Sequence, residues 1–390
     1  MKTVKRCFVF LLAAAAAVLL LISFRDQRQT VSVYENRALA AHPAFSLRGL
    51  WDGSYFDGWD AYFSDHVAWR DDMMRDYLWL QLYAKRQVVA QDVVIGDGAL
   101  LPYLPYTDYS GYDYDSPARA AVQRLLPIQQ AAEARGGVFL YLGIDEQRSA
   151  LREAYPAYLY NKSDYFDASE AAFRAAAEEA GLSVLFTRDL WTEEDCRRYY
   201  SAVDHHYNLL GAQAAWRALL AWCASQDMEL PAPEEAELNI RSWPGDFYGS
   251  YSRRFYDLSP ITEELLVFDD SVLPPYERWD DGERTDAPVL VLPEAGAHAQ
   301  YTAYMGGDHG ETVIRTDRPA LPNILIVGDS FTNPLEALCV CSFNEVRSLD
   351  FRHYDAMTLT EYLETFPADV VIVVRDNLNY LLQEGNGDLK

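Results

Sequence analysis

A chain of 390 residues, half of them apolar, holds enough hydrophobic surface for a substantial core, which excludes a disordered chain. Its formal charge of −26 and its lack of any basic cluster exclude the nucleic-acid-binding classes, whose phosphate ligands are held by lysine and arginine. The same charge disfavours a strongly anionic polymer as a long-range partner, while 27 tyrosines and nine tryptophans supply flat rings for ordinary packing first and for stacking on sugars second.

In chain order, Lys2, Lys5 and Arg6 precede the uncharged run CFVFLLAAAAAVLLLISF, residues 7–24, which is near the lower limit for a bilayer span. Positive charge on its N-terminal side places that end in the cytoplasm and the chain from Asp26 onward outside the cell membrane. No small-x-small site follows the run, so an uncleaved single-pass anchor over residues 1–25 is expected, with cleavage inside the alanine tract as the alternative. No second apolar run is long enough to cross back.

Residues 26–90 read as an extended stalk followed, from residue 47, by an aromatic helical segment that packs on the main domain. VVIGDGALLPY is a strand and turn punctuated by Gly96 and Gly98. From there residues 91–390 read as one α/β domain. Ser116 and Pro117 suggest a helix start, with Ser116 as N-cap, and Gly136-Gly137 its end. VFLYLGI (138–144) is a strand apolar on both faces, and a helix over about 168–180 stops at Gly181 before SVLFT. NILIVGD from Asn323 and DVVIVV from Asp369 are two more such strands, so a mostly parallel sheet covered on both sides is expected. Residues 226–320 lose periodicity and read as an irregular insertion with short β elements. The tail EGNGDLK (384–390) reads as frayed.

Of five cysteines, Cys7 lies in the anchor, and Cys196, Cys223, Cys339 and Cys341 match no zinc spacing. Cys339 and Cys341 read as buried thiols, and Cys196 with Cys223 is the pairing open to an oxidising compartment.

Two segments carry chemistry. NILIVGDSF sets Ser330 just past a buried strand and just before the helical NPLEALCVC, the sheet edge where α/β proteins bind ligands and where unpaired helix N–H groups can face an oxyanion. The bland reading, of equal weight on the tripeptide alone, is that Asp329 or Ser330 caps the helix. VDHHYNLLGAQAAW sets Asp204, His205 and His206 before another amphipathic helix. A serine needs a base and the base needs a carboxylate, so Asp204 and His206 rank first as two members of a triad with Ser330. A helix cap by Asp204 or Asn208 with surface histidines ranks second. A metal site ranks a distant third, since no H-x-x-x-H spacing or further ligand accompanies the cluster.

The segments ENRALAAHP, DGSYFDGWDAYFSDHVAWRD, VVIGDGALL, DHHYNLLGA, GDFYGSY, GDSFTN and LDFRHY occur in this order through nearly the whole chain. Together they resemble the DHHW-type proteins of Gram-positive bacteria, which are similar to the alginate O-acetyltransferase group with an SGNH-hydrolase-like domain. That resemblance implies an α/β SGNH-like fold in permuted motif order and assigns Asp204, His206 and Ser330 to the triad. It also places Arg352, and more weakly Tyr354, beside the oxyanion or substrate, while His205 and His353 read as structural. Tyr207 stands where the family has tryptophan, an aromatic swap expected to keep packing but to alter acceptor contacts, which places it with Arg352 and Tyr354 among the expected oxyanion or substrate contacts. YLGIDEQRS (141–149) lacks the family's proline and lysine pattern. The function implied is acetyl transfer through an acyl-serine to a polysaccharide hydroxyl, with no cofactor and no metal. A multi-spanning membrane acyltransferase would export the acetyl group. An acetylesterase with the same triad and a noncatalytic glycan-binding or scaffold protein are the rivals.

Overall fold

The apolar N-terminal run folds as one helix, α1 (Lys2–Arg25), whose window Arg6–Ser23 is long and apolar enough to cross a bilayer. The structure, a computed structural model, describes residues 2–25 and 29–382. The tail 384–390 expected to fray, and residues 26–28 of the expected stalk, lie outside the described residues. The chain divides into two compact units, Met1–Gln91 with Ser252–Pro260, and Asp92–Tyr251 with Ile261–Lys390.

In the first unit the expected stalk is not featureless. A hairpin of two short strands, β1 (Val31–Ser32) and β2 (Arg37–Ala38), turns at Asn36. Arg37 clamps it with two bonds to Asp65, at 2.8 and 2.5 Å, and Asp65 also accepts the Ala40 N–H at 2.7 Å. Strands this short leave no period for a sequence to show. Three helices follow as expected: α2 (Leu47–Asp52), capped by the Ser46 hydroxyl, α3 (Ser54–His66), and α4 (Arg70–Trp79), which runs into a π turn. Gly53 takes the left-handed φ of 87° that lets α3 restart at once after α2. A short strand, β3 (Val89–Ala90), comes next.

The second unit opens with the hairpin β4 (Val93–Ile95) and β5 (Leu100–Pro102). Helix α5 (Asp115–Glu133) begins earlier than expected: Tyr114 holds the N-cap position, and the Asp113 carboxylate accepts the Ser116 N–H at 3.1 Å. Pro117 still lies in the first turn, where any N–H is unpaired, so its presence there does not single out Ser116 as the cap. Past Gly136 (φ 80°) the chain enters β6 (Val138–Ile144), then a short α6 (Gln147–Ala150). Helix α7 (Ser163–Ala180) is longer than expected and is closed by left-handed Gly181 before β7 (Val184–Phe186). Helices α8 (Glu193–Tyr199) and α9 (Leu209–Ser225) flank the histidine loop, and a short α10 (Glu235–Leu238) follows.

The aperiodic region forms the hairpin β8 (Arg241–Asp246) and β9 (Glu264–Val267), and then β10 (Glu277–Asp280), β11 (Glu283–Thr285) and β12 (Glu311–Arg315). The remainder alternates β13 (Ile324–Val327), α11 (Asn333–Cys339), β14 (Glu345–Leu349), α12 (Leu359–Thr365) and β15 (Val370–Asp376). One eight-stranded sheet results, in the order β11-β10-β12-β14-β13-β15-β6-β7. The five strands from β14 to β7 are parallel, and the three from the insertion extend the sheet antiparallel.

Along β13 and β15, Leu325, Val327, Val371 and Val373 face a core closed by α5, α7 and α12. Their neighbours Ile324, Ile326, Val370 and Ile372 are also fully buried, so both faces of the sheet are covered, as the continuous apolar runs require. Cys196, Cys223, Cys339 and Cys341 are buried free thiols, with no bond between Cys196 and Cys223.

One charge inside this core has a measurable consequence. Glu336, on α11, accepts hydroxyl hydrogen bonds from Thr332 and Ser348, and burial pushes its carboxyl up to about 7. Between the ordinary 4.5 and about 7 the folded chain keeps a proton that the unfolded chain has released, so this group's stability falls as pH rises across that window. Glu336→Gln removes the titration: thermal melts are expected to show it gaining on the wild type from pH 4.5 to 8, by an amount of order 3 kcal/mol.

Candidate active site

Central strand β13 delivers its C-terminal end to the sheet edge, and the next residues turn sharply. The Asp329 side chain accepts the Phe331 N–H at 3.0 Å and its carbonyl accepts the Thr332 hydroxyl at 2.9 Å. The capping role therefore falls to Asp329, which leaves the half-buried Ser330 hydroxyl for another partner. The Ser330 N–H, at the open end of the turn, donates to no acceptor among the described residues.

That partner is His206. Its Nε2 lies 2.8 Å from Ser330 Oγ, and its Nδ1 lies 2.5 Å from Asp204 Oδ1. An ionised carboxylate only accepts, so the proton sits on Nδ1 and Nε2 is left to accept from the serine. Asp204 and His206 are both buried, at 2% and 3% exposure. Asp204 is further fixed by the N–H groups of His206 at 3.0 Å and of Ser250 at 2.5 Å. Burial works to raise its carboxyl, but the charges of His206 and His205 and these hydrogen bonds win, and the group lies far below the usual carboxylate range. The cap of α9 is Asn208, whose side chain accepts from Leu210 and Gly211, so Asp204 has no capping duty. Both His206 nitrogens are taken, so a metal on this cluster would have to displace Asp204 or Ser330.

The loop is held from several directions. Leu100 of β5 donates its N–H to Ala202 at 2.7 Å, and Glu263 accepts the Ser201 hydroxyl at 2.6 Å and the Ala202 N–H at 2.9 Å. The segment GDFYGSY lies directly on it: a Cβ at Gly249 would sit 2.4 Å from the Val203 carbonyl oxygen and 2.8 Å from Asp204 Cβ. Only glycine permits that approach, and it puts the Ser250 N–H on Asp204. His205 bonds the Ser250 hydroxyl at 2.8 Å and lies 3.7 Å, ring to ring, from His206.

Sequence reasoning missed Tyr301, which stacks on the other side of the imidazole at 3.7 Å and 7° between planes. Its hydroxyl is buried with no partner among the described residues, so the ring face is the part that acts. A tyrosine face would attract an imidazolium at His206, the charge that ring would carry if it took the Ser330 proton. Tyr301→Phe is therefore expected to keep near-normal turnover, while Tyr301→Leu loses roughly 5–30-fold in kcat with little change in KM, equivalent to about 1–2 kcal/mol. Steady-state kinetics of the two variants checks this. Tyr301 sits in the aperiodic insertion, where no motif marks it.

The remaining expected residues land differently. Tyr207 is fully buried and donates its hydroxyl to the Phe331 carbonyl. It braces the serine turn from below and offers no surface to an acceptor, which corrects its placement among substrate contacts. Arg352 is gripped by Asp350, with bonds of 2.5–3.0 Å, and by Asp308 at 3.0 Å. It feels the charge of Asp329, the neighbour of Ser330, but none of its hydrogen bonds reaches the triad atoms. Tyr354 makes its ring contacts with Phe351 and Tyr362, on the α12 side of the core.

No family model and no curated protein matches this sequence. Solved structures do match. PatB1 of Bacillus cereus superposes with a TM-score of 0.62 at 18% identity, over 76% of this chain and 99% of its own. A DHHW family protein of Eubacterium siraeum gives 0.52 at 16% identity, over 77% and 95%. The O-acetyltransferase domain of Pseudomonas putida AlgJ aligns more distantly, at 0.46 and 13% identity over 75% and 93%. Across nearly the full length of PatB1 and the DHHW family protein, this chain shares their α/β fold.

Proposed function

We propose that the chain is a membrane-anchored O-acetyltransferase that carries an acetyl group on Ser330 to a hydroxyl of a cell-surface or secreted polysaccharide. The observation that carries this reading is the buried line from Asp204 through His206 to Ser330 Oγ, at 2.5 and 2.8 Å. His206 takes the Ser330 proton as Oγ attacks the acetyl carbonyl of the donor, and returns it to the leaving group as the acyl-serine forms. It then takes the proton of a sugar hydroxyl as that oxygen attacks the acetyl carbon, and gives the proton to Ser330 Oγ as the acyl bond breaks, which restores the free hydroxyl and the neutral base. Asp204 holds the ring tautomer and balances the imidazolium, and the Ser330 N–H, which makes no hydrogen bond among the described residues, donates to the oxyanion. Helix α1 spans the membrane once with Lys2, Lys5 and Arg6 on the cytoplasmic side, so the triad works outside the cell. A multi-spanning acyltransferase supplies the acetyl group there.

The test is intact-mass analysis of the full-length chain in detergent after brief exposure to an activated acetyl ester, followed by peptide mapping. A single acetyl on Ser330 that moves to added oligosaccharide faster than to water supports transfer. Discharge to water alone makes the protein an acetylesterase. An adduct elsewhere, or none, removes the catalytic reading.

A further inference from the structure

Two tyrosine-rich stretches lie outside the triad and take no part in its chemistry. The first, residues 103–114, leaves β5 and leads into the N-terminus of α5; the second, residues 155–162, leaves the short helices after β6 and leads into α7. Because α5 runs back to the start of β6 and α7 to the start of β7, both stretches sit at the C-terminal edge of the parallel strands, the edge from which Ser330 leaves β13. Tyr155 ties them together by donating its hydroxyl to the Pro102 carbonyl at 2.8 Å.

These rings are held in place and yet open to solvent. Tyr106 meets Tyr160 edge-on at 5.3 Å, and Tyr109 meets Tyr165 at 4.7 Å. Tyr106 and Tyr158 are nevertheless 73% exposed, and Tyr112 and Tyr103 are 46% and 40% exposed. Exposed aromatic rings gathered on two stretches that touch each other, through Tyr106 and Tyr160 and through Tyr109 and Tyr165, suit a binding surface.

We propose that this surface docks the acceptor polysaccharide, and that the acceptor carries no acidic sugars. The proposal rests on the acetyl-transfer reading for its occupant. The tyrosine faces suit the C–H faces of pyranose rings, and their hydroxyls suit sugar hydroxyls. Charge selects among glycans. Asp108, Asp113, Asp115 and Asp164 lie in or beside these stretches against one lysine, Lys162, whose ammonium is already 4.2 Å above the Tyr165 ring. Hydrogen bonds from Ser110, through its N–H and its hydroxyl, and from Ser116, through its hydroxyl and its N–H, keep Asp108 and Asp113 anionic to lower pH than usual. On a chain of net charge −26 such a surface repels uronic acid or phosphate polymers and accepts neutral or amino sugars.

Binding of the full-length chain in detergent to three immobilised probes tests this: a soluble neutral β-glucan, partially deacetylated chitin oligosaccharides, and polygalacturonate. The expected result is capture by the neutral or amino probe and not by polygalacturonate, with at least a tenfold loss of binding in the double variant Tyr106→Ala, Tyr158→Ala. The same variant keeps the wild-type rate of Ser330 acetylation by the activated ester, since neither ring touches the triad. Capture by polygalacturonate as tight as by the others, undiminished binding in the double variant, or capture by none of the probes overturns the proposal. If the tyrosines govern binding while Ser330 takes no acetyl group, the docking surface stands and the transferase reading falls.

Discussion

Ser330→Ala is expected to lower turnover on an activated acetyl ester by roughly 10⁶-fold, and His206→Ala by a similar factor. The double variant is expected to be no worse than either single one. Oγ and Nε2, 2.8 Å apart, are expected to act as one unit: the hydroxyl is a poor nucleophile without the base, and the base has no task without the hydroxyl. Two groups acting independently would instead multiply their losses. Stability separates the variants from a folding defect. Ser330 is half-buried and its hydroxyl bonds only His206 among the described residues, so Ser330→Ala is expected to melt within about 0.5 kcal/mol of the wild type. Steady-state rates with and without oligosaccharide, together with thermal melts, decide the matter. A Ser330→Ala chain that still turns over would place the nucleophile elsewhere.

Much of this site is legible in the linear sequence because its three members each sit at a structural boundary that leaves a mark. Ser330 follows an apolar strand and precedes a helix, and Asp204 with His206 precedes a helix capped by Asn208. What joins them is the sheet, since 124 residues separate His206 from Ser330 and no local rule predicts their meeting. The parallel strands were readable for the same reason that they are buried: continuous apolar runs have no solvent face to interrupt them. Strand β14 escaped because its sequence, EVRSL, carries Arg347, whose charge is absorbed by Glu345 and Tyr362 rather than by water.

The supports of the triad were the least visible part. Ser250 acts through its backbone N–H, which any residue but proline supplies, and Gly249 acts by lacking a side chain. Tyr301 and strands β10 to β12 come from a region whose turns and short strands follow no period. Arg352 shows the converse. A family pattern points to it, yet the carboxylates of Asp350 and Asp308 claim its hydrogen bonds, a pairing that a chain with 59 acidic residues makes easy and that no motif announces.

Asp204→Asn is expected to cost about 10⁴-fold in kcat, and the reason lies in what the carboxylate accepts. Its Oδ1 takes hydrogen bonds from the His206 N–H and Nδ1–H, and its Oδ2 takes one from Ser250 at 2.5 Å. An asparagine amide cannot satisfy all three. With its NH₂ group toward His206 it donates to Nδ1, which drives the ring proton to Nε2 and turns a donor toward the Ser330 hydroxyl. With its NH₂ group toward Ser250, two buried donors face each other, a conflict worth about 1–3 kcal/mol. The variant is therefore expected to lose both rate and stability, with the rate loss far the larger. Acylation of Ser330 followed by rapid-quench mass analysis reads the first, and a thermal melt reads the second. If acylation falls no further than the melt explains, Asp204 only braces the loop; if it falls by orders of magnitude in a chain that still folds, the carboxylate sets the tautomer on which the base depends.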